Sequence, residues 1–309
     1  MVSLGGNAII RRGQTGTIEE QFANADEACS VIAALSAKNA APIIVTHGNG
    51  PIVGNIVIRN EAASALVPLM PLFIADADSI GGVGFMLQLS IHNHLNKIKS
   101  SRKVATLVTQ VVVDPEDPAF SNPSKPIGPF YTEKEARSIE KERGWVMKED
   151  SQRGFRRVVP SPRPRRVVEA DVVRRLAAEG VIVIAAGGGG VPVVEDSSGM
   201  LHGIDAVIDK DLSTALLGVE VKAGLFIDLT SVEAVFLDYN KPGQRLISGM
   251  SVIEAKRYLA ERHFAEGSMR PKIEAAIGFL EGGGEEVIIT APSLAMEALA
   301  GKAGTRIYP

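Results

Sequence analysis

The chain has 309 residues, of which 45% are hydrophobic and 22% charged, and its 33 basic residues nearly balance its 36 acidic ones. This composition suits one large α/β domain or two smaller ones, and the charge balance argues against a protein whose whole surface binds nucleic acid or an acidic membrane. Cys29 is the only cysteine, which excludes an intramolecular disulfide bond and a cysteine-based zinc site and favours a reducing compartment.

The first residues, MVSLGGN, lack the basic region and the long apolar stretch that mark a signal peptide. Elsewhere in the sequence no segment approaches the roughly 20 uninterrupted apolar residues of a membrane helix. We therefore expect a soluble cytoplasmic protein with no membrane partner.

Short apolar runs rich in β-forming residues alternate with longer amphipathic stretches along the chain. The predicted strands are 42–46, 103–113, 181–186, 224–230 and 286–290. Helix starts are marked by a capping box at Thr17 and Glu20 and by Pro51, which suits a first helical turn. The alternation predicts an α/β fold in which helices cover a largely parallel sheet.

Residues 114–166 interrupt this alternation. The stretch is rich in proline, contains one predicted helix around 133–143 and continues into a strand-like region. It is too long for a connecting loop within a compact domain. We therefore predict a single domain over residues 1–309, with 114–166 as a small inserted subdomain or lid.

The second half of this insertion is basic. Its Lys and Arg residues are 143, 148, 153, 156, 157, 163, 165 and 166, set against Glu149 and Asp150. Nucleic-acid binding is one interpretation, but Trp145 and Phe155 are the only aromatic residues between 143 and 166. A solvated face or a lid that faces a phosphate is the favoured interpretation.

Glycines follow three of the strand-like runs. The sites are Gly5, Gly6 and Asn7, then Gly48, Asn49 and Gly50, then 187–190, which includes Gly188 and Gly189. A single such site is typical of a tight turn, but glycine also lets backbone N–H groups approach an anion closely. Three sites at the carboxyl ends of parallel strands favour a phosphate-bearing ligand. The dinucleotide fingerprint, the Walker P-loop, HExxH and GxSxG are all absent from the sequence.

Three lysines lie in settings that are unusual for a solvated side chain. Lys125 is held between prolines, Lys210 follows an apolar run, and Lys272 lies in a predicted helix start with Ser268 as cap and Pro271 in the first turn. Lysines around a phosphate would neutralise the charge of a phosphoryl group in transfer. Three unrelated surface lysines remain the alternative. In the run before Lys210, Asp209 is predicted to cap a helix whose first residues are Lys210 and Asp211.

The sequence resembles the carbamate kinases, which form part of the amino acid kinase family. The matching stretches are LGGNA (4–8), THGNGP (46–51), TQVVVDPEDPAF (109–120), NPSKPIGPF (122–130), KEDSQRGFRRVVPSP (148–162), GGGGVPVV (187–194), AVIDKDL (206–212) and HFAEGSMRPKIEAAI (263–277). They span nearly the whole chain. The stretch NPSKPIGPF and the basic segment after it resemble the protruding subdomain of carbamate kinases, so the resemblance is more specific than the family.

The resemblance implies an open αβα sandwich, a homodimer, and phosphoryl transfer between carbamoyl phosphate and ADP that gives ATP and carbamate without a covalent intermediate. It implies Mg²⁺ bound through the nucleotide phosphates and not by protein side chains. The glycine sites, namely Gly5, Gly6, Asn7, Gly48, Asn49, Gly50, Gly188 and Gly189, would hold the carbamoyl phosphate and the transferring group. No nucleic-acid partner is expected.

The same resemblance implies roles for the charged residues. Lys125 would reach in from the subdomain, and Lys210 and Lys272 would neutralise the nucleotide phosphates and the transition state. Met269 would lie on the nucleotide side, and Asp211 would hold the two lysines in place.

The sequence departs from the family pattern in two places. Only residues 1–4 precede the first glycines, where relatives carry several more, so a start upstream of Met1 is one explanation. Phe73 and Ile80 stand where relatives usually carry an acidic residue and an amide, near the expected interface and acceptor side. Two alternatives therefore stay open: another phosphotransferase of the family, and a non-catalytic regulator that binds nucleotide or RNA.

Overall fold

The computed structural model describes residues 1–11, 13–38, 41–150, 154–265 and 268–309, without the side chain of Asn7. Arg153 of the basic segment therefore lies outside the described residues, as do parts of the stretches 148–162 and 263–277. The helices are α1 (Ile18–Lys38), α2 (Gly50–Ala62), α3 (Leu72–Lys97), α4 (Pro118–Ser121), α5 (Glu133–Arg143), α6 (Ala170–Ala178), α7 (Lys210–Glu220), α8 (Val252–Ala260), α9 (Met269–Glu281) and α10 (Ala295–Leu299).

The strands alternate with these helices for most of the chain. They are β1 (Val2–Leu4), β2 (Ile44–His47), β3 (Val104–Thr106), β4 (Gln110–Val113), β5 (Lys125–Tyr131), β6 (Val146–Glu149), β7 (Phe155–Val159), β8 (Pro164–Val167), β9 (Ile182–Ile184), β10 (Val191–Glu195), β11 (Leu201–Gly203), β12 (Leu225–Leu229), β13 (Val235–Leu237), β14 (Arg245–Ile247), β15 (Gly249–Ser251), β16 (Glu286–Thr290) and β17 (Thr305–Tyr308).

An eight-stranded sheet organises the molecule, in the order β15-β17-β16-β12-β1-β2-β9-β3. Its neighbouring strands are parallel except for β16 and β17. The predicted largely parallel sheet is therefore confirmed. Although β1 has only 3 residues, it is fully paired on both sides, with β2 and with β12.

Helices cover both faces of this sheet. Successive side chains of one strand point to opposite faces, so Phe226 and Ile227 of β12 belong to different cores. Ile227 packs with residues of α1 and α3, whereas Phe226 packs with residues of α8 and α9. This is the predicted αβα sandwich, and the near-continuous apolar strands are what burial on both faces requires.

The predicted strand 103–113 is wrong as a single element. The chain forms β3 in the main sheet and β4 in a separate sheet with the order β11-β10-β4-β8. Thr109 lies at the break, where its hydroxyl donates to the Leu107 carbonyl and accepts the Ala186 N–H. These bonds satisfy backbone groups that a continuous ladder would otherwise pair, so the chain can change sheets there.

Within residues 114–166, predicted to be an inserted subdomain, β5, β7 and β6 form a small sheet of their own with α5 beside it, whereas 164–166 belong to β8 of the four-stranded sheet. Helix α5 covers the predicted residues 133–143. It begins with a capping box between Thr132 and Glu135 and ends at Gly144 in the left-handed conformation. Strand β5, which begins at Lys125, lies directly on α2.

The crossing of β5 over α2 depends on two glycines. A Cβ atom on Gly54 would lie 2.3 Å from the backbone nitrogen of Gly128, so no larger residue fits at this approach. At the far end of α2, Glu61 is ion-paired with Arg143 of the subdomain and lies 3.8 Å from the guanidinium of Arg157. Helix α2 therefore carries the subdomain along most of its length.

Helix α3 is long and apolar enough, by length and composition alone, to cross a membrane. Its most apolar window of 18 residues has a mean hydropathy of 1.3. The sequence showed no uninterrupted apolar run of this length, because Asp76 and Asp78 interrupt it. Half of the window is buried inside the molecule, and the helix packs along α1. It is placed as a core helix of a globular protein is placed.

We predict that Gly54→Ala lowers the free energy of unfolding by about 1 to 3 kcal/mol, since the added methyl group overpacks the α2–β5 contact. Urea unfolding would measure the change. Gly278→Ala is the matched control, because it also adds a methyl group in a helix but meets no atom within 4 Å. The control is expected to gain about 0.5 to 1 kcal/mol from helix propensity. Equal shifts in the two variants would contradict a steric role for Gly54.

Candidate active site

The first two glycine sites meet at the carboxyl edge of the main sheet. β1 and β2 are parallel neighbours, so the turns that follow them emerge side by side. The Gly48 N–H donates to the Leu4 carbonyl at 3.0 Å, and a Cβ atom on Gly48 would lie 3.2 Å from the Gly6 nitrogen. A Cβ atom on Gly50 would lie 3.9 Å from the Gly6 Cα. Gly5, Gly6, Gly48 and Gly50 thus form one backbone surface, from which α2 starts at Gly50.

The third glycine site lies against this surface. Gly188 and Gly189 have positive φ angles of +63° and +104°, and both residues are buried. A Cβ atom on Gly188 would meet Asn49 Nδ2 at 2.4 Å, and one on Gly189 would meet the Ile208 carbonyl oxygen at 2.4 Å. Packing therefore already requires glycine at both positions. Their predicted contact with phosphate stays a prediction.

Helix α7 begins at Lys210, as predicted, and points its N-terminus at the glycine turns. Asp209 is its cap, since the Asp209 Oδ1 atom accepts the Asp211 N–H at 2.9 Å. The helix is fixed to the turns by Ser213, whose hydroxyl donates to the Gly189 carbonyl at 2.8 Å. The Cδ atom of Lys210 would lie 3.5 Å from a Cβ atom on Gly48.

Two lysines and two aspartates form a buried group next to the turns, which we call the lysine–aspartate cluster: Lys210, Asp211, Asp228 and Lys272. Lys210 Nζ donates to Asp211 Oδ1, and lies 3.7 Å from Asp228 Oδ1. Lys272 Nζ lies 2.7 Å from Asp228 Oδ2 and 3.3 Å from Asp211 Oδ1. Asp211 thus contacts both lysines, which is the position its predicted role requires.

Neighbouring charges favour the ionised forms of Asp211 and Lys272. Burial alone would raise the pKa of Asp211, but the charges of Lys210 and Lys272 overcome it and lower that pKa to about 2. Burial alone would lower the pKa of Lys272, but the charges of Asp228 and Asp211 raise it above its ordinary value. Asp211 and Lys272 therefore both favour their charged forms at neutral pH.

Lys125 reaches the same place from the subdomain. Its Nζ donates to Asp209 Oδ2 at 2.7 Å, and the two side chains are 33% and 18% exposed. Asp209 therefore uses one carboxylate oxygen to cap α7 and the other to hold Lys125. This contact closes β5 over the start of α7.

Helix α9 supplies Lys272 from its first turns, with Pro271 in the first turn as predicted. Ser268 occupies the predicted cap position, but its side chain makes no capping hydrogen bond. Its backbone angles, φ −134° and ψ −82°, lie outside the extended range usual for a capping residue. Met269 is half-buried and packs with the core beneath α8 and α9, and its contact with nucleotide stays a prediction.

Phe73 and Ile80, the two departures in α3, both have packing roles. Ile80 is 1% exposed and belongs to the core, whereas the ring of Phe73 lies on Gly203, where a Cβ atom would approach it to 2.6 Å. The first backbone N–H groups of α3 are paired with a residue from another segment, because Asp205 Oδ1 accepts hydrogen bonds from the N–H groups of Leu72 and Phe73.

The arginines of the basic segment are largely paired. Arg165 and Arg166 are ion-paired with Asp114 and Glu195, and Arg156 lies 3.2 Å from Asp150. Arg157 lies over the Trp145 ring at 4.1 Å. Side chains committed in this way do not present an open row of positive charge.

A divalent cation would find few free protein ligands at the site. Within the residues that the structure describes, no group of three or more His, Cys, Asp or Glu side chains is arranged to hold a metal. The nearby carboxylates of Asp211 and Asp228 are already paired with lysines. This donor set fits a cation that arrives with, and is held by, nucleotide phosphates.

Sequence reasoning missed Asp228 and Ser3. Asp228 is 1% exposed on β12, and the Ser3 hydroxyl accepts from Lys210 Nζ at 2.8 Å. The available signal was a lone carboxylate within the apolar run Phe226-Ile227-Asp228-Leu229, because a buried acid requires a partner. Ser3 carried no comparable signal.

Comparison with known proteins gives matches over the whole chain. The model of the amino acid kinase family matches residues 1–291. A carbamate kinase of Thermococcus kodakarensis is 47% identical over 309 residues, which cover 99% of this chain and 98% of the relative. Two structures of carbamate kinase from Giardia lamblia, bound to citric acid and to AMP-PNP, align with TM-scores of 0.93 and 0.92 at 39% and 40% identity. Each alignment covers 99% of this chain and 97% of the other, so the insertion 114–166 is included.

We predict that Asp211→Asn lowers the free energy of unfolding at pH 7 by about 3 to 5 kcal/mol, because it removes one partner from a buried charge cluster. The folded pKa of Asp211 lies below its unfolded value, so its contribution is complete above about pH 4 and is lost as the pH falls towards 2. The free energy of unfolding, measured in urea, should therefore fall more steeply between pH 5 and pH 3 in the wild type than in Asp211→Asn. Asp78→Asn, an exposed change on α3, is the control and should follow the wild type.

We also predict that Asp209→Asn loosens the subdomain without disturbing α7, because asparagine caps a helix as well as aspartate does but cannot pair with Lys125. Amide hydrogen exchange in β5 should accelerate by about two- to fivefold, the loss expected for a partly exposed ion pair of ~0.5 to 1 kcal/mol. Asp209→Ala should accelerate exchange in α7 as well. Unchanged exchange in β5 of the asparagine variant would show that the ion pair does not hold the subdomain.

Proposed function

The chain belongs to the amino acid kinase family, and from this premise we propose that its site transfers a phosphoryl group reversibly between carbamoyl phosphate and ADP, giving ATP and carbamate. The relatives named above are carbamate kinases, and this comparison confirms the predicted carbamate kinase function. The protein is a phosphotransferase. Carbamate is the compound of ammonia and CO₂. The observation that carries the proposal is the lysine–aspartate cluster beside the glycine turns.

The transfer follows from where charge develops. An oxygen of the ADP β-phosphate attacks the phosphorus of carbamoyl phosphate, the bond from phosphorus to the carboxyl oxygen breaks, and carbamate leaves with the electron pair. Negative charge spreads over the phosphoryl oxygens, so catalysis consists mainly of positioning and neutralisation. We propose direct in-line transfer without a covalent intermediate.

The residues divide this work between them. Backbone N–H groups of Gly5, Gly6, Gly48 and Gly50, together with Asn7 and Asn49, are proposed to hold carbamoyl phosphate, helped by the start of α2. Gly188 and Gly189, in the neighbouring 187–190 turn, are proposed to help bind the phosphate.

The lysines are proposed to act on the phosphoryl group. Lys210 and Lys272 would turn from their aspartate partners towards the transferring oxygens, and Asp211 would keep both within reach. Lys125 would leave Asp209 and close over the substrate. Met269 is proposed to contact the nucleotide at the start of α9.

We propose that the nucleotide acts as its Mg²⁺ complex. No protein side chain is proposed to hold the cation; bound with the nucleotide phosphates, it would offset part of their negative charge. The AMP-PNP complex of the Giardia lamblia relative supports a nucleotide partner.

We further propose a homodimer in the cytoplasm without membrane or nucleic-acid partners. Support for self-association comes from exposed apolar side chains on α3, including Ile74, Phe85 and Leu89. The paired arginines of the subdomain argue against RNA as a partner. Another phosphotransferase of the family and a non-catalytic regulator thus remain without a specific observation in their favour.

A coupled assay that detects ATP tests the proposal, with ADP, Mg²⁺ and carbamoyl phosphate as reactants. We expect ATP formation that is abolished by chelation of Mg²⁺ with EDTA. Lys210→Ala should lower the rate roughly hundredfold or more, because it removes a charged contact made in the transition state. Lys302→Ala, which changes an exposed lysine near the carboxyl end, is the control and should leave the rate unchanged. No ATP from the wild type at high enzyme concentration would refute the function, and a fully active Lys210→Ala variant would refute the role of Lys210.

A further inference from the structure

Asn49 is held on two sides at the junction of the glycine turns. It is 7% exposed, it follows β2 directly, and a Cβ atom on Gly188 would lie 2.6 Å from its Cγ. On the other side the amide nitrogen donates to Ser79 Oγ at 3.1 Å and to Asp76 Oδ1 at 3.4 Å. The side chain therefore lies fixed between the 187–190 turn and helix α3.

Ser79 determines which way the amide of Asn49 faces. The Ser79 hydroxyl donates its single hydrogen to the main-chain oxygen of Asp76 at 2.7 Å. Towards Asn49 the hydroxyl oxygen is then only an acceptor, so Asn49 must present its NH₂ group to α3. Both hydrogens of that group are directed at Asp76 and Ser79. The amide oxygen, Oδ1, remains without a partner among the described residues.

Asp76 is a buried acid with one unpaired carboxyl oxygen. It is 2% exposed, and its Oδ2 atom is buried and has no partner within the described part of the chain. Burial raises the pKa of Asp76 well above its ordinary value, against the hydrogen bond from Asn49, and the charge of Asp205 raises it further. Its Oδ1 atom accepts from the amide nitrogen of Asn49 and so fixes that side chain from the α3 side.

We propose that Asn49 Oδ1 accepts a hydrogen bond from the amino group of the carbamoyl substrate, and that Asp76 and Ser79 are the positioning residues that aim it. The inference rests on the proposed function, in which the 48–50 turn holds carbamoyl phosphate. A carbamoyl group differs from an acetyl group of the same shape only in carrying NH₂ in place of CH₃. An acceptor fixed at that point distinguishes the two, because an NH₂ group can donate to it and a methyl group cannot.

This arrangement also gives a function to the face of α3 where the chain departs from its relatives. Position 73 carries no acid and position 80 carries no amide, yet Asp76 and Ser79 lie within one turn of these positions and point an acid and a hydroxyl at Asn49. On this face of α3, the polar groups that contact Asn49 are the carboxyl group of Asp76 and the hydroxyl group of Ser79.

Two unreactive ligands test the proposal: phosphonoacetamide, which carries NH₂, and acetonylphosphonate, which carries CH₃ in its place. Their dissociation constants are measured by calorimetry on the full-length protein. We expect the wild type to prefer phosphonoacetamide by about tenfold, the effect of one hydrogen bond to an otherwise unpaired acceptor. Ser79→Ala should lower the preference for phosphonoacetamide to about threefold or less. It should weaken the binding of phosphonoacetamide and leave the binding of acetonylphosphonate unchanged.

Matched variants separate aiming from packing. Ser79→Thr keeps the hydroxyl group and Asp76→Asn keeps a neutral acceptor, so both should retain the wild-type ratio. Asp78→Asn, an exposed change on the same helix, should also retain it. Asp76→Ala should lower the ratio as Ser79→Ala does.

A wild-type ratio near one, or a preference for acetonylphosphonate, would overturn the proposal without any variant. Parallel weakening of both ligands in Ser79→Ala would reduce Ser79 to a packing residue and would also overturn it. ATP formation from carbamoyl phosphate, measured on the same preparation, tests the function separately. Wild-type activity combined with a ratio near one would leave the function standing and remove this inference.

Discussion

Mutual neutralisation of four buried charges is the constraint on which the site depends. Lys210 and Asp211 come from the first turn of α7, Lys272 comes from α9, and Asp228 comes from the centre of the sheet. None of these side chains is tolerable at its depth without the others, because an isolated buried charge costs several kcal/mol. The cluster therefore fixes two helix starts and one strand relative to each other. Lys210 also binds Ser3 of β1, which ties the first glycine turn into the same arrangement.

Local chemistry was readable from the sequence wherever one segment determined the result. The predicted capping box of Thr17 and Glu20, the start of α2 at Pro51 and the cap of α7 at Asp209 are confirmed, and all depend on residues a few positions apart. The convergence of the first two glycine turns followed from a parallel sheet, since neighbouring parallel strands end at the same edge. These are the features that pattern and residue type decide without tertiary information.

What the sequence did not reveal depends on partners far apart in the chain. Asp228 was missed because the lysines that pair with it lie 18 residues before it and 44 residues after it. The break of 103–113 depends on Thr109 and Ala186, which are 77 residues apart. Ser268 has the residue type of a capping residue but not the usual backbone angles. Asp76 gave no signal, since nothing in α3 alone indicates that a carboxyl group faces Asn49.

The double use of Asp209 has a consequence for how easily the subdomain moves. When Lys125 departs, the carboxylate that it leaves stays at the N-terminus of α7, where the aligned peptide dipoles and the Asp211 N–H continue to stabilise its negative charge. The unpaired state is therefore not a stranded anion, and the free-energy difference between docked and undocked Lys125 is small. In the proposed mechanism, the end of α7 would therefore hold the Asp209 carboxylate while Lys125 is on the substrate, and would receive the lysine again once the product has left.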